Sequence, residues 1–204
     1  GANALGIKNI LCITGDSVKA GDQQATKAVH EFEAVRLLKQ IQAFNKGIDP
    51  TFEHLPDKRT NIFSGAAVDP SCRNQRSLES RTRKKKEAGA NFLQTQMVMD
   101  RNCLINFCRE ISNPLEIPVI AGVFLLKSYK NALFINKFVP GANIPDKILD
   151  RLKESKDPLK EGILIASEQA KDFINIAEGI HIMAVKAENL IPEILEKAGL
   201  NLEY

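Results

Sequence analysis

Residues 78–98 read LESRTRKKKEAGANFLQTQMV, and their order decides the fold class. Leu78–Ala88 has the charged composition of a surface helix, and Gly89 supplies a C-terminal stop. Phe92–Val98 follows as a short apolar run suited to a strand. Four more such runs flank this unit: Asn9–Thr14 and Asn61–Val68 before it, Pro118–Leu125 and Gly179–Val185 after it. Most are near-continuous hydrophobic segments rather than strict alternations, the pattern of parallel strands covered by helices.

Helical patterns lie between the runs. Ala25–Phe44 places Val29, Phe32, Val35, Leu38 and Ile41 at three-residue steps, which forms an apolar stripe. Arg101–Ile111, segments after Ser128 and after Pro145, Leu159–Ala177 and Ala187–Ala198 complete the set. Strand then helix, repeated five times, means right-handed parallel crossovers. A doubly wound dinucleotide fold wants G-x-G-x-x-G after its first strand, and the sequence has no such run. The expected class is therefore α/β: a partial (β/α)8 TIM barrel of five β/α units with parallel strands. A complete barrel takes about 250 residues, and this sequence has 204.

Composition narrows the function. Hydrophobic residues at 44% and charged residues at 26% exclude a disordered chain. A net charge of +3, with no aromatic residues interleaved among the basic ones, gives no reason to expect nucleic acid. Cys12, Cys72, Cys103 and Cys108 form no CxxC pair, and His30, His54 and His181 are scattered, so no metal site is expected. No apolar run approaches the roughly 20 residues of a membrane span, and no signal pattern opens the sequence. A soluble, cytoplasmic protein is expected.

Barrel chemistry sits on the loops after the carboxyl ends of the strands. Those ends carry Thr14-Gly15-Asp16, Gly65 to Pro70, Thr95-Gln96, Lys127 to Asn131, and Val185-Lys186. Asp16 and Asp69 would serve equally as turn residues. Gln96 is a carboxamide in an apolar strand, and it needs partners if buried. A bound ligand or a structural hydrogen bond would satisfy it.

The same segments resemble the methylenetetrahydrofolate reductase family. IKNILCITGD at 7–16 is similar to the family's fourth-strand signature, and RTRKKKEAGANFLQTQ at 81–96 to its helix-into-strand segment ending in Thr-Gln. PVIAGV at 118–123, Ile144-Pro145 and Gly179-Ile180-His181 match in the same order, from about Ile7 to Gly199. GDSVKAGDQQATKAVHEFEAV, starting at Gly15, is most similar to members from anaerobic one-carbon pathways. The resemblance implies that residues 1–204 are the C-terminal part of one such barrel, the first three strands lying outside this sequence.

It also implies roles. Asp16 would be the catalytic carboxylate near flavin and pterin, and would touch both. Thr14, Gly15, His30, Glu31, Gly65, Asp69, Arg81, Lys84 and Lys85 would bind the cofactor, FAD or FMN. Gln96, Asn131 and Ile135 would bind folate. The sequence departs from the family at Thr14 (often Arg), at Gly65 (often aromatic) and at Asp69 (often His), while the arginine that holds substrate falls at Ala187, beside Lys186. A solvated basic face is the other reading of Arg81–Lys86.

The implied reaction is flavin-dependent hydride transfer from NAD(P)H or another donor to 5,10-methylenetetrahydrofolate, giving 5-methyltetrahydrofolate. The general acid, a first-strand glutamate, is not in this sequence. An oligomer, or a partner supplying the missing strands, is expected. Two alternatives stay open: a non-enzymatic degenerate barrel module, and a flavin-free domain that binds folate or methyl-folate in a methyltransferase system.

Overall fold

The computed structural model describes residues 1–15, 33–49, 59–139 and 141–200. Its strands are β1 (Asn9–Cys12), β2 (Phe63–Val68), β3 (Phe92–Met97), β4 (Val119–Phe124) and β5 (Gly179–Met183). Its helices are α1 (Ala34–Asn45), α2 (Gln75–Glu87), α3 (Arg101–Phe107), α4 (Tyr129–Phe138), α5 (Asp146–Glu154), α6 (Pro158–Phe173) and α7 (Ile191–Lys197). The strands form one parallel sheet in the order β1-β2-β3-β4-β5. Neighbours in the sheet are always neighbours in the chain. A doubly wound sheet reverses its order at a switch point; this one does not, and the order is that of consecutive units of a (β/α)8 barrel.

The chain divides into two compact units, residues 1–67 with 80–93, and residues 68–79 with 94–204. In the first unit Asn9–Cys12 pairs with Phe63–Ala66. Asn45, the last residue of α1, fixes the entry to β2: its Oδ1 accepts from Ile62 N–H (3.0 Å) and Thr60 Oγ (2.6 Å), and its Nδ2 donates to Ile62 O (2.9 Å). Gly89 ends α2 at φ +106°, where a side chain would be strained. Its carbonyl accepts from Gln42 Nε2 (3.1 Å) and Ser64 Oγ (3.1 Å). The helix stop read from the sequence is thus also a junction between elements.

In the second unit Ile120–Phe124 pairs with Gly179–Met183. Side chains alternate across β4: Val119, Ala121 and Val123 are fully buried, while Ile120 and Phe124 are partly so. Met97, Met99, Leu126, Ala132, Ile135, Ile144, Leu149, Leu152 and Ile165 form a continuous core beneath α4, α5 and α6. Asp100, Ser128 and Asp157 cap α3, α4 and α6 by accepting from Asn102, Asn131 and Lys160 N–H, which satisfies donors that a helix start leaves free.

Several elements are shorter than the sequence predicts. The helix expected over Arg101–Ile111 is α-helical to Phe107, then widens into a π turn over Cys108–Ser112, closed by Asn113 N–H to Cys108 O (2.9 Å). Of Ala25–Phe44, residues 25–32 lie outside the described residues. The last helix divides into a 3-10 turn at Glu188–Leu190 and α7, with Pro192 in the first turn of α7, where its missing N–H costs nothing.

Candidate functional site

In the first unit, Thr14 and Gly15 follow β1, Gly65 lies within β2, and the side chain of Lys85 reaches the carboxyl end of β2. Thr14 leaves the ladder of β1, and its Oγ accepts from Ala34 N–H (3.3 Å) at the start of α1. Glu33, in the N-cap position, makes no side-chain cap, so Thr14 does that work from a distance in sequence. Gly15 turns at φ +78°, and among the described residues nothing lies within 4 Å of where a Cβ would stand. Gly65 is buried, and a Cβ there would overlap the Phe92 ring, which stacks on Phe63 at 5.6 Å and 15°. Phe92 on β3 therefore fills the space that a side chain at position 65 would take. Lys85 Nζ donates to Ala67 O at 2.6 Å, at the carboxyl end of β2. Burial, then the Arg81 charge, pulls the Lys85 ammonium below its ordinary pKa. Arg81 and Lys84 are exposed on the same helix. Asp16, His30 and Glu31 lie outside the described residues.

In the second unit, Gln96 is the penultimate residue of β3. Its Oε1 accepts from the Met97 N–H (3.0 Å), and its Nε2 has no partner among the described residues. Thr95, 3% exposed, points to the opposite face. Its Oγ accepts from Gly122 N–H (2.8 Å) and donates to Gln96 O (2.7 Å), which clamps β3 to β4 where Gln96 emerges. Asp69 Oδ1 accepts from Ser71 N–H (2.9 Å) in a side-chain turn.

Asn131 belongs to the start of α4: it donates its N–H to Ser128 Oγ (3.1 Å), and its Oδ1 accepts from Lys127 N–H (3.3 Å). Ile135 is 4% exposed and packs in the core. At the end of β5, Lys186 stands at φ +56°, uncommon for a residue with a Cβ, and its N–H donates to Glu188 Oε1 (3.0 Å).

One residue of this region stands out in the sequence only as part of Gly-x-His. His181 of β5 pairs in register with Gly122 of β4, and its ring lies against that glycine. Its Nε2 reaches Thr95 O at 3.0 Å, and its Nδ1 lies 3.4 Å from Gln94 Nε2. A carbonyl only accepts, so Nε2 carries the proton and Nδ1 is the acceptor for Gln94. Burial holds the imidazole below its ordinary pKa, with the Thr95 carbonyl acting in the opposite direction. The available signal was a glycine in one strand and a histidine in the next, but their register is not written in either segment.

Burial raises the thiols of Cys12, Cys103 and Cys108, and Asp100 raises Cys103 further. Thiols held protonated are poor nucleophiles and poor metal ligands. Among the described residues no group of three or more His, Cys, Asp or Glu side chains is placed to hold a metal ion. No described helix is long and apolar enough to cross a membrane.

The chain and its fold have counterparts among known proteins. The probable methylenetetrahydrofolate reductase (NADPH) of Caenorhabditis elegans is 26% identical over 213 residues, covering 98% of this chain and 29% of its own length. Methylenetetrahydrofolate reductase 2 of Schizosaccharomyces pombe is 30% identical over 219 residues, covering 98% and 32%. Methylenetetrahydrofolate reductase (NADH) 1 of Arabidopsis thaliana is 24% identical, covering 96% and 34%. The chain thus spans about a third of the length of these relatives. A solved structure of a Clostridium thermocellum protein, described as binding two copies of 5-methyl-5,6,7,8-tetrahydrofolic acid, shares the fold at a TM-score of 0.51 and 17% identity, over 68% of this chain and 52% of that one. The family model described as methylenetetrahydrofolate reductase matches residues 1–199, and the chain belongs to that family.

Proposed function

We propose that this chain is the C-terminal part of a barrel that reduces 5,10-methylenetetrahydrofolate to 5-methyltetrahydrofolate with a bound flavin. The observation that carries the folate side is Gln96. Its oxygen is tied to the Met97 N–H, its NH2 is free among the described residues, and Thr95 locks the backbone beneath it. A fixed donor of this kind suits an acceptor on a polar heterocycle edge or a carboxamide. Family resemblance assigns both to this position, the pterin in one half-reaction and the nicotinamide in the other.

Flavin, FAD or FMN, would supply a two-electron carrier between NAD(P)H, or another donor, and folate. The described residues fit such a group in two respects. Among the described residues nothing crowds the Gly15 turn, so a flat ring could approach backbone there, and Lys84 offers an exposed cation for phosphate. Thr14, Gly15, Gly65, Asp69, Arg81, Lys84 and Lys85 would hold it together with Asp16, His30 and Glu31. Asp16 would also hydrogen-bond the pterin edge.

One observation favours a second reading. Gly65 brings no side chain to its strand, and Phe92 has closed the space above it, so position 65 offers no ring to stack on a flavin. A flavin-free barrel that binds methyl-folate is consistent with this, and methyl-folate is what the Clostridium thermocellum protein is described as binding.

The test is Gln96→Glu in the intact gene product. Glutamate keeps an oxygen for the Met97 N–H, removes the donor and adds a negative charge at a half-buried position; a ligand role predicts a melting temperature near wild type. Folate reduction should fall by about tenfold or more, from the roughly 1–3 kcal/mol lost when a polar partner is left unsatisfied. A lower melting temperature with normal turnover would make Gln96 structural and end its ligand role. Visible absorbance of the same preparation separates the readings: flavin bands support the reductase, and a colourless protein that binds methyl-folate supports the alternative.

A further inference from the structure

Gln169 in the C-terminal half of α6 is 9% exposed, yet half of its carboxamide is unused. Nε2 lies 3.6 Å from Met99 Sδ, and Oε1 has no hydrogen-bond partner among the described residues. Turning the amide over does not cure this. The oxygen would then face a sulfur that cannot donate, and the NH2 would be the unpaired end. Buried amide groups are almost always paired, so an exception calls for an occupant.

The surroundings supply room for one. Gln169 lines a cavity of about 260 Å³ whose apolar lining includes Met99, Ile148, Ile165 and Phe173, and whose charged lining includes Arg101 and Lys147 as well as Glu168 and Asp172. Arg151, also on the lining, is committed to Glu161 and Glu168 at 2.6–3.0 Å. Arg101 makes only a loose 3.7 Å pair with Asp172. Lys147 is exposed and has no partner among the described residues. The cavity therefore combines an apolar wall, one buried acceptor in need of a donor, and positive charge on the lining, where Lys147 is unpaired among the described residues, Arg101 is loosely held by Asp172, and Glu168 is committed to Arg151. Concave, mostly apolar pockets with a few placed polar groups are the usual form of a small-molecule site.

We propose that this cavity binds a small amphipathic monoanion: an apolar ring with an N–H that donates to Gln169 Oε1, carrying a carboxylate that meets Lys147 and Arg101. The site is separate from the residues assigned to folate and cofactor, and it does not depend on which reading of those residues holds.

Indole-3-acetate has these features and serves as the probe. Titrated into the intact gene product, it should bind saturably with one-to-one stoichiometry. 1-Methylindole-3-acetate, which lacks the N–H, should bind about tenfold more weakly, and Lys147→Gln should weaken the parent probe in the same direction. Gln169→Leu should abolish the preference for the N–H. It should also leave the melting temperature equal or higher, because it removes an unpaired buried amide; a lost preference is then not lost folding. Three results would overturn the proposal. They are no saturable binding, binding indifferent to the N–H and to Gln169→Leu, and a crystal structure in which an ordered water alone completes Gln169 while the probe lies elsewhere.

Discussion

An imidazole on β5 reaches the backbone of β3 only because β4 carries a glycine between them. A Cβ on Gly122 would stand 2.7 Å from Gln96 O and 2.9 Å from His181 Nε2, so the bare backbone is what lets His181 bond Thr95 O. The neutral ring suits this place, and burial keeps its pKa below the ordinary value. The unfolded chain therefore binds more protons than the folded one between the two values, and stability rises with pH across that window. The contribution is complete above about 6.5 and is lost as the pH falls from there through the lower, folded value. Urea midpoints measured from pH 7.5 down to pH 5 should fall more steeply for the wild type than for His181→Gln, whose carboxamide does not titrate. Parallel curves would show that His181 does not carry the acid sensitivity.

Among the elements, α6 comes close to the backbone that follows β4. Asp157 caps it, Pro158 opens it, and Gly162 passes so near the end of β4 that a Cβ would overlap the Leu126 carbonyl oxygen. Gly162→Ala should gain up to about 1 kcal/mol in helix propensity. It should lose more, because α6 must shift against a backbone atom that cannot move aside; overpacking of this kind costs about 1–3 kcal/mol and occasionally more. A lowered melting temperature is the expected outcome, and an equal or higher one would mean that α6 is free to slide. The sequence shows α6 well but not this glycine's reason. Apolar runs mark all five strands, although alternate side chains of β3 and all of β5 are only partly buried. Their ends are less legible: β1 stops at Cys12 because Thr14 turns away to cap α1, a partner 20 residues distant. The π turn at Cys108–Ser112 escapes for a related reason, since apolar periodicity does not report which carbonyl Asn113 selects. At the site, Gln96 was legible as a polar residue in an apolar strand, whereas the bond that ties its oxygen to Met97 was not. At Asn131 and Ile135, which resemblance gives to ligand contacts, the structure shows a first-turn residue of α4 capped by Ser128 and a core residue, surroundings that no sequence segment spells out.

At the scale of the whole molecule, the sheet order leaves β1 and β5 each with a single neighbour among the described residues. A strand at a sheet edge offers unpaired N–H and C=O groups to any other chain, and natural proteins cover or blunt such edges. Here the first unit also leaves apolar side chains near its edge strand open: Ile13 is 58% exposed and Phe63 is 50% exposed. A closed barrel would bury both features, because closure removes edges and turns one sheet face inward. A polypeptide of these 204 residues alone should therefore associate as its concentration rises and unfold over a broad transition. Sedimentation velocity across a concentration series and urea unfolding followed by two probes would measure this. Supplying the remaining strands of the same gene product, in one chain or as a separate segment, should shift the sample to a single species with coincident, sharp transitions. A monomeric, cooperatively folded 204-residue protein would instead mean that these edges and apolar residues are tolerated in solution, and it would weigh against the closed barrel on which the proposed folate chemistry depends.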